Sequence, residues 1–300
     1  MNNQEEIKQL IAELLREEIT LFTLKGKGLV NNAYYVETQT GKYIVKQERE
    51  DKEFQPQNSL TVEAAVIKQL STLNLTVPIP RIVFISEESQ MYGYEYIEGE
   101  MLSAVWGNMT EDKKIEICQA LGNFHAEIGE EFTKQMAGDV GIKINTSLDV
   151  HPETLKEHAF ILSNTDVPEE LKILLKEARQ VFDITMNGGV FQFLHNDAQH
   201  DNVLIKDGKI SGIIDFGESE YGEVAKEFSR YIRDFPDHFK YIVSFYEEKS
   251  GNKLSYRRLV SYSLLSGFID IVANYLKGGT ERSKAESSVD AYNRLLSEVE

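Results

Sequence analysis

The sequence predicts an α+β protein with a small β-rich N-terminal portion (1–97) and a larger helical portion (98–300). Three observations carry this expectation. Before residue 98, short β-like runs dominate. Beyond it, apolar residues recur at helical spacing over most of the chain. Within that helical part, "FLHNDAQHDNVLIKDGKISGIIDFGE" (193–218) breaks the pattern with two short apolar strands and a concentration of carboxylates.

In order, residues 3–17 place Ile7, Leu10, Ile11, Leu14 and Leu15 on one helical face. Strands follow at 20–26, 32–38 and 42–48, the last two joined by a turn at Gly41. A helix over 59–73 ends at "TVPIPR", whose prolines lack the N–H a helix needs. "RIVFISE" and "QMYGYEYIE" are two more strands. Helices are expected at 110–129, 152–163 and 168–186. The strands at 203–206 and 210–215 come next, then helices at 223–249, 255–277 and 281–298.

The composition excludes several classes. With 32 basic against 49 acidic residues, the net charge of −17 opposes binding to nucleic acid, whose phosphates demand a basic surface. It suits a cationic small molecule, and solubility alone explains it equally well. No uninterrupted apolar run reaches the ~18–20 residues of a membrane span. The N-terminus, "MNNQEEIKQL", is acidic where a secretory signal would be basic and then apolar. The single cysteine, Cys118, is expected as a small buried residue, and a cytoplasmic location follows. Oligomeric state is not legible.

The carboxylates raise the chemical question. Asp197 and Asn202 stand five apart across a polar loop, and a hairpin turning at Asp207-Gly208 returns Asp215 towards Asn202. An amide oxygen and a carboxylate, both hard donors, suit Mg²⁺ that also binds phosphates. Asp197 would then face a nucleophile. Such crowding is costly without a counter-charge, which a divalent cation supplies. The pattern is that of protein-kinase roles: His-x-Asp-x-x-x-x-Asn as His195, Asp197 and Asn202, and Asp-Phe-Gly as Asp215, Phe216 and Gly217. "YIVK" adds Lys46 on a strand and "TVEAAVIKQL" adds Glu63 on the next helix, in the order a phosphate-binding lysine and its glutamate partner require. Gly26 and Gly28 in "KGKGLVNN" form either a turn over phosphates or an ordinary hairpin turn.

These pieces, with "VPIPRIVF", "YEYIEGEML" and "LGNFHAEI", resemble the aminoglycoside phosphotransferase family, antibiotic kinases with a bilobal protein-kinase-like fold. "YIEGE" and "HND" are most similar to its 2″ branch. A protein kinase is disfavoured by Asn196 in place of Arg and by the five residues, "ESEYG", between Gly217 and the next helix. The resemblance implies Asp197 as the base toward an acceptor hydroxyl, and Asn202 and Asp215 as Mg²⁺ ligands. It also implies Lys46 on the phosphates of ATP or GTP, Glu63 positioning Lys46, and Glu95, Tyr96 and Ile97 as a hinge for the base. Tyr94 at the deep end of the base pocket would favour guanine, and His195 would hold the loop. Where relatives carry Gly-Asp-Pro-x-x-Asp, this chain has "GEVAKE", with Glu223, Val224 and Glu227. Glu223, Glu227, Glu247 and Glu248 are candidates for a cationic acceptor. The alternatives are a kinase of a macrolide, of a choline-, homoserine- or sugar-like metabolite, or a nucleotide-binding pseudokinase.

Overall fold

The computed structural model describes residues 3–28, 30–49, 51, 57–147, 152–184 and 189–279, with positions 282, 283, 286, 290, 293 and 297 beyond. The helix expected over 281–298 lies largely outside the described residues. The chain forms two compact units, Met1–Asn145 with Gln192–Tyr221, and Thr146–Phe191 with Gly222–Glu300. The first thus takes in more than residues 1–97.

In the first unit, strands β1 (Ile19–Lys27), β2 (Asn31–Thr38), β3 (Lys42–Glu48), β4 (Ile82–Ser86) and β5 (Met91–Glu95) form an antiparallel sheet ordered β1-β2-β3-β5-β4. Side chains alternate across a sheet, so β3 sends Val45 to one face and Lys46 to the other. On the Val45 face lies the amphipathic helix α1 (Asn3–Leu15), with Ile11 buried among Ile19, Tyr34, Val36, Val45 and Met91. Helix α2 (Leu60–Leu70) starts at Ser59, whose hydroxyl accepts the Val62 N–H, and its first turn contains Glu63.

After β5 come β6 (Glu100–Met101), the four-residue helix α3 (Leu102–Val105), α4 (Glu111–Glu131) and α5 (Lys134–Val140). No sequence expectation covered α5, although Thr133 caps its start and Gly141, at φ 81°, its end. Buried Glu127 of α4 holds the segment after α2 by accepting the Thr76 N–H at 2.8 Å. Cys118 is buried on α4, where burial and then Glu111 push its thiol up to about 12. Strand β7 is Phe191–Leu194. β8 (Val203–Lys206) pairs with β6 and with β9 (Lys209–Ile213), the hairpin turning at Asp207 (φ 53°) and Gly208 (φ 71°). The short strand β10 (Glu220–Glu223) falls in the "ESEYG" segment and just beyond it.

The second unit is helical: α6 (Pro152–Ser163), α7 (Glu169–Ile184), α8 (Val224–Asp234), α9 (Phe239–Ser250) and α10 (Tyr256–Lys277). The single helix expected over 223–249 is two, because Pro236 cannot donate within a helix and pushes Phe235 out of helical conformation (φ −132°, ψ 56°). Its core joins Ile161 of α6, Leu171, Leu174 and Leu175 of α7, and Leu264, Leu265, Ile271 and Val272 of α10. Among the described residues α10 is the one helix long and apolar enough to cross a membrane, and these buried contacts account for its apolarity.

Candidate active site

Lys46 is the centre of a buried charge cluster in the first unit. Its ammonium donates to Glu63 Oε1 at 2.8 Å and to Asp215 Oδ1 at 2.9 Å. Glu63 is 1% exposed, and the same Oε1 also accepts the backbone N–H of Phe216 at 3.1 Å. Two carboxylates thus share one ammonium. Burial alone would lower the Lys46 pKa, but Asp215 and Glu63 outweigh it and raise it. Burial raises Glu63 against the pull of Lys46. At Asp215 enclosure works upward, and Lys46 overcomes it to leave the carboxyl below its usual range. Removing one partner of a buried pair typically costs about 3–5 kcal/mol.

The loop after β7 is held from several sides. His195 is fully buried against Phe216, with ring centroids 4.4 Å apart. Its Nδ1 accepts the Asp197 N–H at 3.1 Å and its Nε2 lies 3.1 Å from the Ile214 carbonyl. This pattern calls for the neutral Nε2–H tautomer, so His195 braces the loop, as its sequence position implied. Asn196 takes a left-handed φ of 62° and donates to the Glu218 carbonyl at 3.1 Å. The Asn202 side-chain amide donates to Asp197 Oδ2 at 2.7 Å and to the Asp197 carbonyl at 2.8 Å. Trp106, in the turn after α3, meets the loop residue His200 edge-on with ring centroids 5.5 Å apart.

The β8–β9 hairpin returns the chain as expected: Val203 opposes Ile213, and the Ile214 N–H donates to the Asn202 carbonyl at 2.9 Å. Asp215 follows at φ 68°, a conformation that Asp tolerates better than most residues. Among the described residues no three His, Cys, Asp or Glu side chains gather into a metal cluster. The Asn202 Nδ2 is turned to Asp197, and Asp215, its side chain 44% exposed, sets Oδ1 on Lys46. The Asn202 amide oxygen and the Asp215 carboxylate are the hard oxygens that would hold Mg²⁺.

Tyr94 is buried on β5, and its hydroxyl is pushed upward by burial. In the hinge the Glu95 N–H donates to the Arg81 carbonyl at 3.0 Å and the Tyr96 N–H to the Lys42 carbonyl at 2.8 Å. Those two donors are committed, whereas no acceptor among the described residues takes the Ile97 N–H. At the β1–β2 turn, a Cβ on Gly26 would meet open space. The turn is held by Arg49, 7% exposed, whose guanidinium donates to the Gly28 carbonyl and to Asp51 Oδ1.

A family model described as "Phosphotransferase enzyme family" (APH) matches residues 23–241. The chain belongs to this family. It is a phosphotransferase acting on a hydroxyl group. A point variant of aminoglycoside 2'-phosphotransferase-IIIa bound to GDP superposes with a TM-score of 0.73 at 19% identity, covering 99% of this chain and 97% of that one. Macrolide 2'-phosphotransferase MphH from Brachybacterium faecium gives 0.68 at 15% identity, covering 94% and 96%. A gentamicin complex of APH(2")-IIa gives 0.63 at 17% identity, covering 99% and 97%. The fold is that of the aminoglycoside kinases. No curated protein matches the chain by sequence.

The acceptor carboxylates expected of this phosphotransferase are placed differently from the expectation. Glu223 is 4% exposed; Arg258 approaches it through Nε and, at 2.8 Å, through Nη2, and the Tyr262 hydroxyl donates at 2.6 Å. That carboxylate is neutralised within its own unit and cannot meet a substrate ammonium without unpairing Arg258. Glu227 is 1% exposed. Glu247 accepts the Leu254 N–H at 2.8 Å and Lys253 at 2.9 Å, closing the turn after α9. Only Glu248 of the four is exposed.

Several supporting residues had no local signal in the sequence. The Asn58 N–H donates to the Gly217 carbonyl at 3.1 Å, and its amide to the Ser219 carbonyl at 2.8 Å. Gln57 donates to the Glu218 and Ser219 carbonyls at 3.1 and 3.0 Å. Together they fix the backbone beyond Asp215. Buried Tyr92 on β5 stands opposite Lys46, its ring centre 6.0 Å from the ammonium. A tyrosine two positions before Tyr94, on the strand next to Lys46, was the available clue.

Proposed function

We propose that this phosphotransferase moves the γ-phosphoryl group of ATP or GTP to a hydroxyl of an aminoglycoside, in the manner of the 2″ branch. The observation that carries the reading is the Lys46–Glu63–Asp215 cluster in one unit with the Asp197–Asn202 pair. Asp197 orients the acceptor hydroxyl and takes its proton as the new O–P bond forms and the bond to the bridging β–γ oxygen breaks, releasing nucleoside diphosphate. Lys46 binds the donor phosphates, and Glu63 holds Lys46 in place. Asn202 and Asp215 hold Mg²⁺. The metal, when bound, neutralises charge on the phosphates. The Glu95 carbonyl and Ile97 N–H face the base at the hinge, with Tyr96 beside them, and buried Tyr94 narrows the slot in a way that favours guanine. Such a donor belongs to the cytoplasm, and the acidic surface gives nucleic acid no foothold.

A second reading, a kinase of a macrolide, draws support from the burial or local pairing of Glu223, Glu227 and Glu247. These leave little free negative charge for a polycation. The similarity to a macrolide 2'-phosphotransferase fits this reading too.

The test is diphosphate release with Mg²⁺ and ATP or GTP, across kanamycin, gentamicin, a macrolide and simple hydroxylated metabolites. Stimulation by an aminoglycoside, strongest with GTP, is expected. Stimulation by the macrolide alone keeps the chemistry and replaces the acceptor. Asp197→Ala should abolish release and leave nucleotide affinity within about twofold; retained release removes Asp197 from its role.

A further inference from the structure

Strand register sets the β1–β2 turn beside Lys46. Lys46 on β3 stands opposite Ala33 on β2, and Ala33 stands opposite Gly26 on β1. Directly opposed residues share one face of a sheet, so the row leading from Lys46 to the edge strand holds only small residues. A Cβ at Gly26 would meet open space. The turn begins two residues further on, where the Gly28 N–H donates to the Asn31 carbonyl at 2.9 Å.

Buried Arg49, three residues after Lys46, grips this turn from β3. Its backbone N–H donates to the Val30 carbonyl at 2.9 Å, and its Nη1 donates to the Gly28 carbonyl. Its Nε donates to Asp51 Oδ1 at 2.9 Å, and Asp51 Oδ2 accepts Lys27 Nζ, at the end of β1, at 3.4 Å. One residue thus takes two carbonyls of the turn and, through Asp51, reaches the strand that enters it. The Asp51 side chain is 70% exposed, so water screens both of its ion pairs. The directed bonds to the two carbonyls carry the hold.

We infer that Arg49 is a positioning residue for the donor nucleotide, fixing the β1–β2 turn beside the phosphates that Lys46 binds. The inference rests on the assignment of Lys46 to the donor phosphates made above. A carbonyl oxygen turned towards a phosphate repels it, whereas backbone N–H groups attract it. With the Gly28 and Val30 oxygens committed to Arg49, those two negative dipole ends are kept off the phosphates. A turn ordered before the nucleotide arrives also leaves less ordering to be done on binding. Lysine is a poor substitute here, because it lacks the planar fork that serves Gly28 and Asp51 together.

The experiment compares the binding of nucleoside, nucleoside diphosphate and non-hydrolysable triphosphate with Mg²⁺, in the adenine and guanine series. The full chain is used, unaltered and as Arg49→Gln and Arg49→Lys. Arg49→Gln is expected to weaken the triphosphate about tenfold, the diphosphate less, and the nucleoside by less than about twofold. Arg49→Lys should weaken the triphosphate about threefold, and it carries the same comparison if Arg49→Gln does not fold. In steady-state kinetics kcat/KM for the nucleotide should fall in step, with the acceptor KM unchanged. A residue that only supports the fold would shift all three ligands together, and that outcome overturns the inference. So does a triphosphate affinity unaltered by either substitution, while the functional reading stands. Failure of the unaltered protein to bind any nucleotide overturns the functional reading and this inference with it.

Discussion

Each unit holds a buried glutamate paired with a cation, Glu63 with Lys46 and Glu223 with Arg258, and the two pairs are built differently. In the second unit Glu223 meets the Nε–Nη2 edge of Arg258 and the Tyr262 hydroxyl, with Glu223 and Arg258 side chains each 3% exposed. In the first unit Glu63 is equally buried, but its cation is shared with Asp215, which is 44% exposed. A closed pair has nothing left to offer a ligand; it fixes the packing of α8 against α10. The open one keeps an ammonium and a carboxylate at the edge of solvent, held in place by a buried anchor. Buried ion pairs contribute little net stability, so an open one is better explained by chemistry than by folding.

The contrast can be broken most forcefully at Arg258. Arg258→Ala would leave Glu223 uncompensated and should destabilise the protein by about 3–5 kcal/mol in chemical unfolding. A loss below about 1 kcal/mol would mean that the pair is not closed. Lys46→Met should act on the other side of the comparison. Phosphoryl transfer should fall by about 10²–10³-fold, measured as diphosphate release. Tyr262→Phe, which removes one donor from Glu223, is expected to cost about 1–3 kcal/mol of stability with kcat unchanged.

A third buried group sharpens the point through pH. His125 on α4 is fully buried, and burial pushes its pKa down to about 3. In the unfolded chain it would take a proton near ~6.5. The unfolded state therefore binds the proton first, and stability is whole above that range and declines as pH falls towards the folded value. His125→Gln should flatten the acid limb of stability between those limits, by about 1 kcal/mol over the first pH unit below 6.5. An unaltered limb would mean that His125 is already protonated in the folded protein.

The site was legible where spacing along the chain mirrors spacing in the fold. Asp197, Asn202 and Asp215 sit on one loop and one hairpin, so the turn at Asp207-Gly208 sufficed to bring them together. Lys46 and Glu63 were found through their order on a strand and the next helix. Glu223 was misread because its partner lies 35 residues away on α10, and no local pattern distinguishes a buried glutamate from one facing a ligand. The break at Pro236 was missed because the apolar period continues across it from α8 to α9.

Trp106 gives the molecule an optical property. It is the chain's single tryptophan, and it sits edge-on to His200 within the loop that runs from Asp197 to Asn202. Near-ultraviolet excitation of indole therefore reports on one place, the neighbourhood of the loop that carries the candidate base. An imidazolium quenches indole emission more strongly than a neutral imidazole does. Any event that moves or protonates His200 would then write itself into the intrinsic fluorescence of the unlabelled protein.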